Sequence, residues 1–335
     1  MAAAISFPVR SPQWVLTYAG INITTDISTM VLSISYTDNL SALSGEVELL
    51  IEDHDRKWQT TWYPSLGDEL NLAMGYRGEG LLPCGDFQID QLELAGPPDT
   101  FTMRCLAAFV TPAMRTRNSV GYEGQTLLGI AQTLAAKYGL VVVSAPDVID
   151  VVFERLTQKH ETDLGFLKRL AIEQGYDFTV RGSILVFYSR VTLEALIPVQ
   201  TLDRTGLERF EFRNRTHSTY RSAQVAYHNL TSKSLIVQNA SAIAPVVTAD
   251  ILKIVSRCEN GPQALLKAQA ALNASNMWFI DATLVMPGSI AMASGITVNL
   301  TGFGEFDGVY IVLVANHRLD RVHGYTTRLE VSRVF

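Results

Sequence analysis

The sequence predicts a mainly β protein with an α+β domain inserted into it. Three observations carry this. Apolar and polar residues alternate with period two in most segments of residues 14–106 and again from residue 207 onward, the pattern of half-buried antiparallel strands. Between residues 125 and 171 the apolar period becomes helical, with one stripe per segment. A block of glycine, aliphatic residues and Asn-Leu at residues 67–76 returns at residues 295–303.

Residues 14–30 read as a short strand, a turn at Ala19-Gly20 and a second strand. In residues 31–36, Leu32, Ile34 and Tyr36 share one face while Ser33 and Ser35 share the other. After a polar loop, Val47, Leu49 and Ile51 point one way and Glu46, Glu48 and Glu52 the other. That strand therefore carries a row of carboxylates on its wet face. A Trp62-Tyr63-Pro64 turn follows, then alternating Leu70, Leu72 and Met74, then Phe87, Ile89 and Leu92. Pro97-Pro98-Asp99 marks a turn before a strand at 101–106. This amounts to about seven short strands at sandwich or barrel spacing.

Helical periodicity then takes over. Leu127, Ile130, Ala131, Leu134 and Tyr138 form one stripe, closed by Gly139 at the position where a helix-ending glycine belongs. A short buried strand at 140–143 follows. Thr162 is placed as an N-cap, with Asp163 in the first turn complementing the helix dipole. Leu164, Leu167, Leu170 and Ala171 form the second stripe, ended by Gly175, and residues 177–188 read as a hairpin around Arg181-Gly182. From residue 207 strands return, interrupted by a helix at 263–275 that starts after Gly261-Pro262 and carries Leu265, Ala268 and Leu272 on one face. Strands are expected at 278–285, 297–301, 309–319 and 326–334. The expected domains are 1–110, 111–189 and 190–335, with part of 190–240 packing on the first.

The 335 residues are 47% hydrophobic and carry a net charge of −6. That charge argues against a general nucleic-acid binder. Cys84, Cys105 and Cys258 lie far apart, a spacing of buried reduced thiols and not of a disulfide framework or metal knuckle. The N-terminus lacks a basic segment followed by a long apolar run, so no secretory leader is expected. No apolar run reaches the ~18 residues of a membrane span, and no membrane insertion is expected.

The two related blocks are Gly67-Asp68-Glu69-Leu70-Asn71-Leu72-Ala73-Met74-Gly75-Tyr76 and Gly295-Ile296-Thr297-Val298-Asn299-Leu300-Thr301-Gly302-Phe303. In each case a second glycine follows, Gly85 or Gly308, and opens an alternating strand. Thr100-Phe101-Thr102-Met103 and Gly324-Tyr325-Thr326-Thr327 come after at similar distance. Two β-meanders share such punctuation through strand propensity alone. A true repeat gives each chain two copies of one β unit, and a trimer six similar units in a ring.

Catalytic motifs are absent. There is no Gly-x-Ser-x-Gly, no Walker A loop and no His-Glu-x-x-His. Gly302-Phe303-Gly304 lacks a third glycine and a following helix. Glu52-Asp53-His54-Asp55 lacks the spacing and glycine of a calcium loop and reads as a solvated turn. His217, His228, His317 and His323 are scattered singly along strands and read as surface or satisfied histidines. No cofactor, metal or catalytic residue is assigned. Residues 122–131 resemble the opening of a LysM peptidoglycan-binding module whose usual second half is not evident, which makes a peptidoglycan-binding or -degrading component one alternative.

Ile34-Ser35-Tyr36-Thr37-Asp38-Asn39, residues 46–53, and Trp62-Tyr63-Pro64 with Gly67-Asp68-Glu69-Leu70 resemble the N-terminal region of the phage late control gene D family. These are central baseplate hub proteins of contractile tails, related to the hub half of VgrG spike proteins. Residues 124–140 and 157–171 resemble its middle domain, and residues 302–310, His317 and 324–327 its C-terminal barrel. The three blocks keep order and spacing over nearly the whole chain. The resemblance implies two tube-like β-barrel domains per chain in a homotrimer that forms a pseudo-hexameric ring. It implies a non-enzymatic adaptor between a six-fold tail tube and a three-fold central spike. The implied partners are the spike protein, a tail tube or tube-initiator protein, tape measure and wedge proteins, and DNA only in passage if the particle is a phage. No fused β-helical spike follows residue 335 in this sequence, so a separate spike protein is the expected partner. The implied location is the baseplate of a virion or tailocin, assembled in the bacterial host cytoplasm. Glu46, Glu48 and Glu52 are candidate channel-lining residues, because a like-charged wall repels phosphates that basic groups would hold; the competing reading is a plain solvated outer face. A dedicated tail-tube protein is the other alternative, although such a protein usually carries one barrel unit per chain.

Overall fold

The computed structural model describes residues 10–40, 45–107, 114, 116–146, 148–229, 233–246 and 248–335. The first nine residues, residues 41–44 and the expected 110/111 boundary lie outside the described residues.

The chain opens with β1 (Pro12–Tyr18), β2 (Ile21–Asn22), one helical turn α1 (Thr24–Ile27), β3 (Val31–Asn39) and β4 (Glu46–Glu52). The second strand expected within 14–30 shrinks to the two residues of β2. Asn22 Oδ1 accepts from the Thr24 N–H at 3.0 Å, and Thr24 Oγ1 accepts from the Leu16 N–H at 2.9 Å. These side-chain bonds replace the ladder. β5 (Glu69–Tyr76), β6 (Gly80–Ala95) and β7 (Thr100–Ala107) complete the N-terminal strands. Val47, Leu49 and Ile51 are buried as expected, as are Ile34 and Tyr36. Leu32 is only partly buried and Val31 takes its place inside. A bulge between Val31 and Ser33 shifts the register there, and a one-residue shift swaps faces.

The middle of the chain holds β8 (Arg117–Thr126), α2 (Leu127–Lys137), β9 (Val141–Ser144), β10 (Val152–Thr162), α3 (Asp163–Glu173), β11 (Tyr176–Arg181), β12 (Ile184–Ser189) and the short α4 (Arg190–Glu194). Thr126 and Thr162 cap α2 and α3 by accepting from the N–H groups of Gly129 and Gly165 at 3.0 and 3.1 Å. Gly139 and Gly175 end the helices with φ of 69° and 81°, the left-handed backbone that favours glycine. β8 and β10 pair with each other, and β9, β12 and β11 form a second small sheet. The predicted stripes of α2 and α3 close one core between them with Phe178 and Phe187.

The last third contains β13 (Gln200–Asp203), β14 (Arg209–Asn214), β15 (Ser222–Asn229), β16 (Ser234–Ser241), β17 (Ile251–Val255), α5 (Gly261–Asn276), β18 (Ile280–Pro287), β19 (Thr297–Thr301), β20 (Gly308–Asp320) and β21 (Gly324–Arg333). Residues 222–276 depart from the expected second barrel of 190–335. β16, β15 and β17 form their own sheet, covered by α5 around Val225, Ala264, Ala268 and Leu272. Leu265, expected inside, is exposed; Ala264 and Lys267 share the buried side instead. Lys267 Nζ reaches Glu173 on α3 at 2.8 Å, which ties this small unit to the middle one.

All remaining strands belong to one 13-stranded sheet. Its N-terminal half runs β3-β4-β7-β6-β5-β1, and its C-terminal half runs β14-β18-β21-β20-β19-β13. Taken in chain order the two paths are the same. The halves have separate cores, one around Leu49, Met74 and Phe87 and one around Leu284, Leu300 and Tyr310. They join where β20 pairs with β3, so the boundaries 1–110 and 190–335 do not isolate two sheets. β13 and β14 pair with β19 and β18 in the C-terminal half, and among the described residues neither pairs with an N-terminal strand.

Candidate assembly surface on the doubled sheet

The correspondence between the halves extends to single residues. Gly67 and Gly295 precede β5 and β19 with φ of 90° and 84°. Leu72 lies opposite Gly85, and Leu300 opposite Gly308; both glycines have left-handed φ, 112° and 144°. The next irregularity also matches: β6 bulges against β7 between Ile89 and Gln91, and β20 bulges against β21 between Val312 and Val314. Anchored on these bulges, buried residues fall on buried residues, Phe87 on Tyr310, Cys105 on Val331 and Leu49 on Leu284. Strand propensity accounts for shared residue types but not for matched bulges. One difference is that β1 runs antiparallel to β5 while β13 runs parallel to β19.

The bulge in β20 is also where its partner changes. Gly308 to Ile311 pair with β19, and Val314 to Asp320 pair with β3 along the same edge. The Leu313 carbonyl between them accepts from the Leu40 N–H at 2.8 Å. Sequence reading gave β20 no special role, because a switch of ladder partner leaves the apolar alternation untouched.

Glu46, Glu48 and Glu52 lie on β4 on the face opposite Val47, Leu49 and Ile51. Glu46 is exposed and the other two are half-buried. Glu48 accepts from Arg104 Nε on β7 at 3.0 Å, and Glu52 lies 3.6 Å from Arg321. The same face carries Arg318 with Asp320 at 3.2 Å and Arg328 with Glu330 at 3.6 Å. The row is thus part of a mixed-charge surface. Such exposed pairs contribute about 0–1 kcal/mol each, so the face sets polarity more than stability. Arg104 was recoverable from sequence as the outward-facing cation of the strand that pairs with β4; Arg321, in a turn, was not.

His317 lies at the junction of the halves and is fully buried. Nε2 contacts the Met292 carbonyl at 3.0 Å and Nδ1 the Tyr325 hydroxyl at 2.9 Å, while the Tyr36 ring stacks on it at 6.0 Å. Burial pushes its pKa down to about 4, against an upward pull from the Met292 carbonyl and Asp38. The neutral ring is therefore the folded form. The unfolded chain takes up a proton near pH 6.5, so this contribution is complete above that pH and is lost as pH falls toward 4. Urea unfolding at pH 7.5, 5.5 and 4.5 is expected to show stability falling in that window, with a shallower fall in His317→Gln. Equal slopes in both proteins would assign the effect elsewhere.

The other candidates resolve into structural roles. Asp53 is buried; its carboxylate accepts from the Trp58 N–H and the Gln59 amide, both at 3.1 Å. It shapes the loop after β4. Cys84 and Cys105 are buried thiols whose pKa burial pushes up to about 12, unreactive at neutral pH. His323 is exposed beside Asp320 at 3.2 Å. The LysM-like stretch spans the end of β8 and the start of α2, with Tyr122, Leu127, Ile130 and Ala131 facing inward.

No family model matches the sequence. The chain is 28% identical over 206 residues to a "probable baseplate hub protein" of Escherichia phage 186, covering 60% of this chain and 52% of that protein. It is 27% identical over 219 residues to its counterpart in Escherichia phage P2, covering 63% and 56%. The chain is thus similar to phage baseplate hub proteins. It spans about half the length of these curated hub relatives. Its fold is that of the 43 kDa tail protein of prophage MuSo2 from Shewanella oneidensis, with a TM-score of 0.76 at 16% identity over 96% of this chain and 98% of that one. The chain also shares its fold with a type VI secretion component of E. coli, itself similar to T4 bacteriophage tail proteins, with a TM-score of 0.57 at 12% identity over 91% and 73% of the two chains.

Proposed function

We propose that this chain is a structural, non-enzymatic baseplate hub that assembles as a homotrimer. Each sheet half supplies one tube-like barrel element, so three chains present six similar elements in a ring. Such a ring matches a six-fold tail tube on one side and a three-fold central spike on the other. The observation that carries this reading is the duplicated strand order with its matched bulges. A heterologous contact closes into a ring when its rotation divides the circle, and two equivalent units per chain let three chains imitate six.

In this reading Glu46, Glu48 and Glu52 face the channel. Arg104 and Arg321 offset two of the three carboxylates, so the wall is mixed in charge and holds a passing phosphate chain only weakly. A map of the assembled ring that places these glutamates on the outside removes the channel assignment.

Mass measurement of the purified protein, with and without a candidate spike, tests the hub. The expected species has three times the 36.9 kDa chain mass and gains mass with the spike. A monomer in both conditions overturns the reading, and hexamers that polymerise point to a tail-tube protein instead.

A further inference from the structure

The doubled sheet contains one contact made only once. Within the chain, β3 of the N-terminal half pairs along the far half of β20. β14 occupies the equivalent place to β3, and β6 the equivalent place to β20. Among the described residues, β14 has a ladder partner on one edge only, β18. Likewise, β6 pairs with β5 only up to Gln88, so the edge of Gln91 to Ala95 that faces away from β7 has no ladder partner among them. Leu94, on that stretch, is 51% exposed although its counterpart His317 is fully buried.

We propose that β14 of one chain pairs antiparallel with residues 92–96 of β6 in the next copy, repeating between chains the β3–β20 contact within the chain. This rests on the ring reading above and adds its register. The bulges fix that register. Tyr36 corresponds to Phe212, Thr37 to Arg213, Asn316 to Glu93 and His317 to Leu94. The stacked Tyr36–His317 pair becomes Phe212 against Leu94, an apolar pair that covers the exposed leucine. The cross-strand bond from Asn316 Nδ2 to Thr37 Oγ1, 2.7 Å, becomes Arg213 against Glu93. Opposite charges directly across strands favour this pairing, and like charges there oppose it. Unpaired strand edges recruit other chains, which supplies the driving force. Pro97 has no N–H, so the added ladder ends at Gly96.

Oxidative cross-linking of Glu93→Cys/Arg213→Cys tests the register, because directly opposed residues lie within disulfide range. The control, Glu93→Cys/Arg209→Cys, is offset by four residues, about 13 Å along the strand. Native mass and the circular dichroism melt are recorded for each variant to establish trimer and fold. Linked dimers and trimers for the first pair and none for the second are expected. A trimer that links both pairs equally, or neither, overturns this contact and leaves the ring reading standing. A folded monomer overturns both. Charge reversal gives an independent check: Glu93→Arg is expected to weaken assembly by about tenfold or more, and adding Arg213→Glu to restore it. Failure of the second change to restore assembly of a folded chain also overturns the contact.

Discussion

Gly288→Ala is expected to disrupt the junction between the sheet halves at a cost of about 3 kcal/mol or more, at the severe end for overpacking. A methyl group there would sit 2.1 Å from Tyr325 Cδ1 and 2.3 Å from its Cγ. These atoms are the root of the ring and not a flexible tip. Nor can the ring step aside. Tyr325 is buried, its hydroxyl holds His317 at 2.9 Å, and its ring packs on Tyr76 at 5.2 Å. Its carbonyl accepts from the Gly288 N–H at 2.8 Å and the Tyr76 hydroxyl at 3.2 Å. Calorimetry should show the transition of the large sheet moving down while that of the middle unit holds. Gly206→Ala, where an added methyl meets nothing within 4 Å, is the control and should shift stability by less than about 0.5 kcal/mol. If the two variants melt alike, the junction is softer than its contacts imply. The double variant with Tyr325→Ala should cost less than the sum of the two single-variant costs, because removing the ring removes the clash.

Tyr325 also shows how far the sequence reached. The Gly324-Tyr325-Thr326-Thr327 block was legible as strand punctuation and as half of a repeat. The strands at 280–287, 297–301, 308–320 and 324–333 follow the expected alternation closely, because one face of each is buried and the other wet. The helices were legible through their stripes and threonine caps. β8 and β10 were not read as strands. Their sequences are polar and their residues largely exposed, so burial leaves no period to read. The ladder that joins β20 to β3 spans about 280 positions of sequence and is set by edge availability, which periodicity does not record. For the same reason the acidic row on β4 was legible while its partner Arg321 was not.

Asp163→Ala is expected to destabilise the middle unit by about 3 kcal/mol, the cost of leaving buried donors unpaired. Asp163 opens α3 and is almost fully buried. Its Oδ1 accepts from Asn118 Nδ2 at 2.9 Å and Gln158 Nε2 at 2.8 Å, and its Oδ2 from Lys137 Nζ at 2.8 Å and the Tyr138 hydroxyl at 2.6 Å. One carboxylate thus ties together β8, β10, the end of α2 and the start of α3. The share of each donor differs. Lys137 is half exposed and regains water when released, so it loses little. Gln158 is fully buried and keeps only its bond to the Glu161 carbonyl at 2.9 Å, so it carries much of the cost. Burial alone would raise the Asp163 pKa, but the donors Gln158, Lys137, Tyr138 and Asn118 outweigh it and hold it down to about 2. An unfolded aspartate titrates near pH 3.9. The stabilisation is therefore complete above that pH and is lost as pH falls toward 2. Urea unfolding followed through the middle-unit transition should separate wild type from Asp163→Ala at pH 7 and bring the two together near pH 2. A gap that persists at pH 2 would mean that shape, and not the charge on Asp163, sets the cost. Asp163→Asn should fall between them, since it keeps an acceptor for Asn118 and Gln158 but presents an amide to Lys137 and Tyr138.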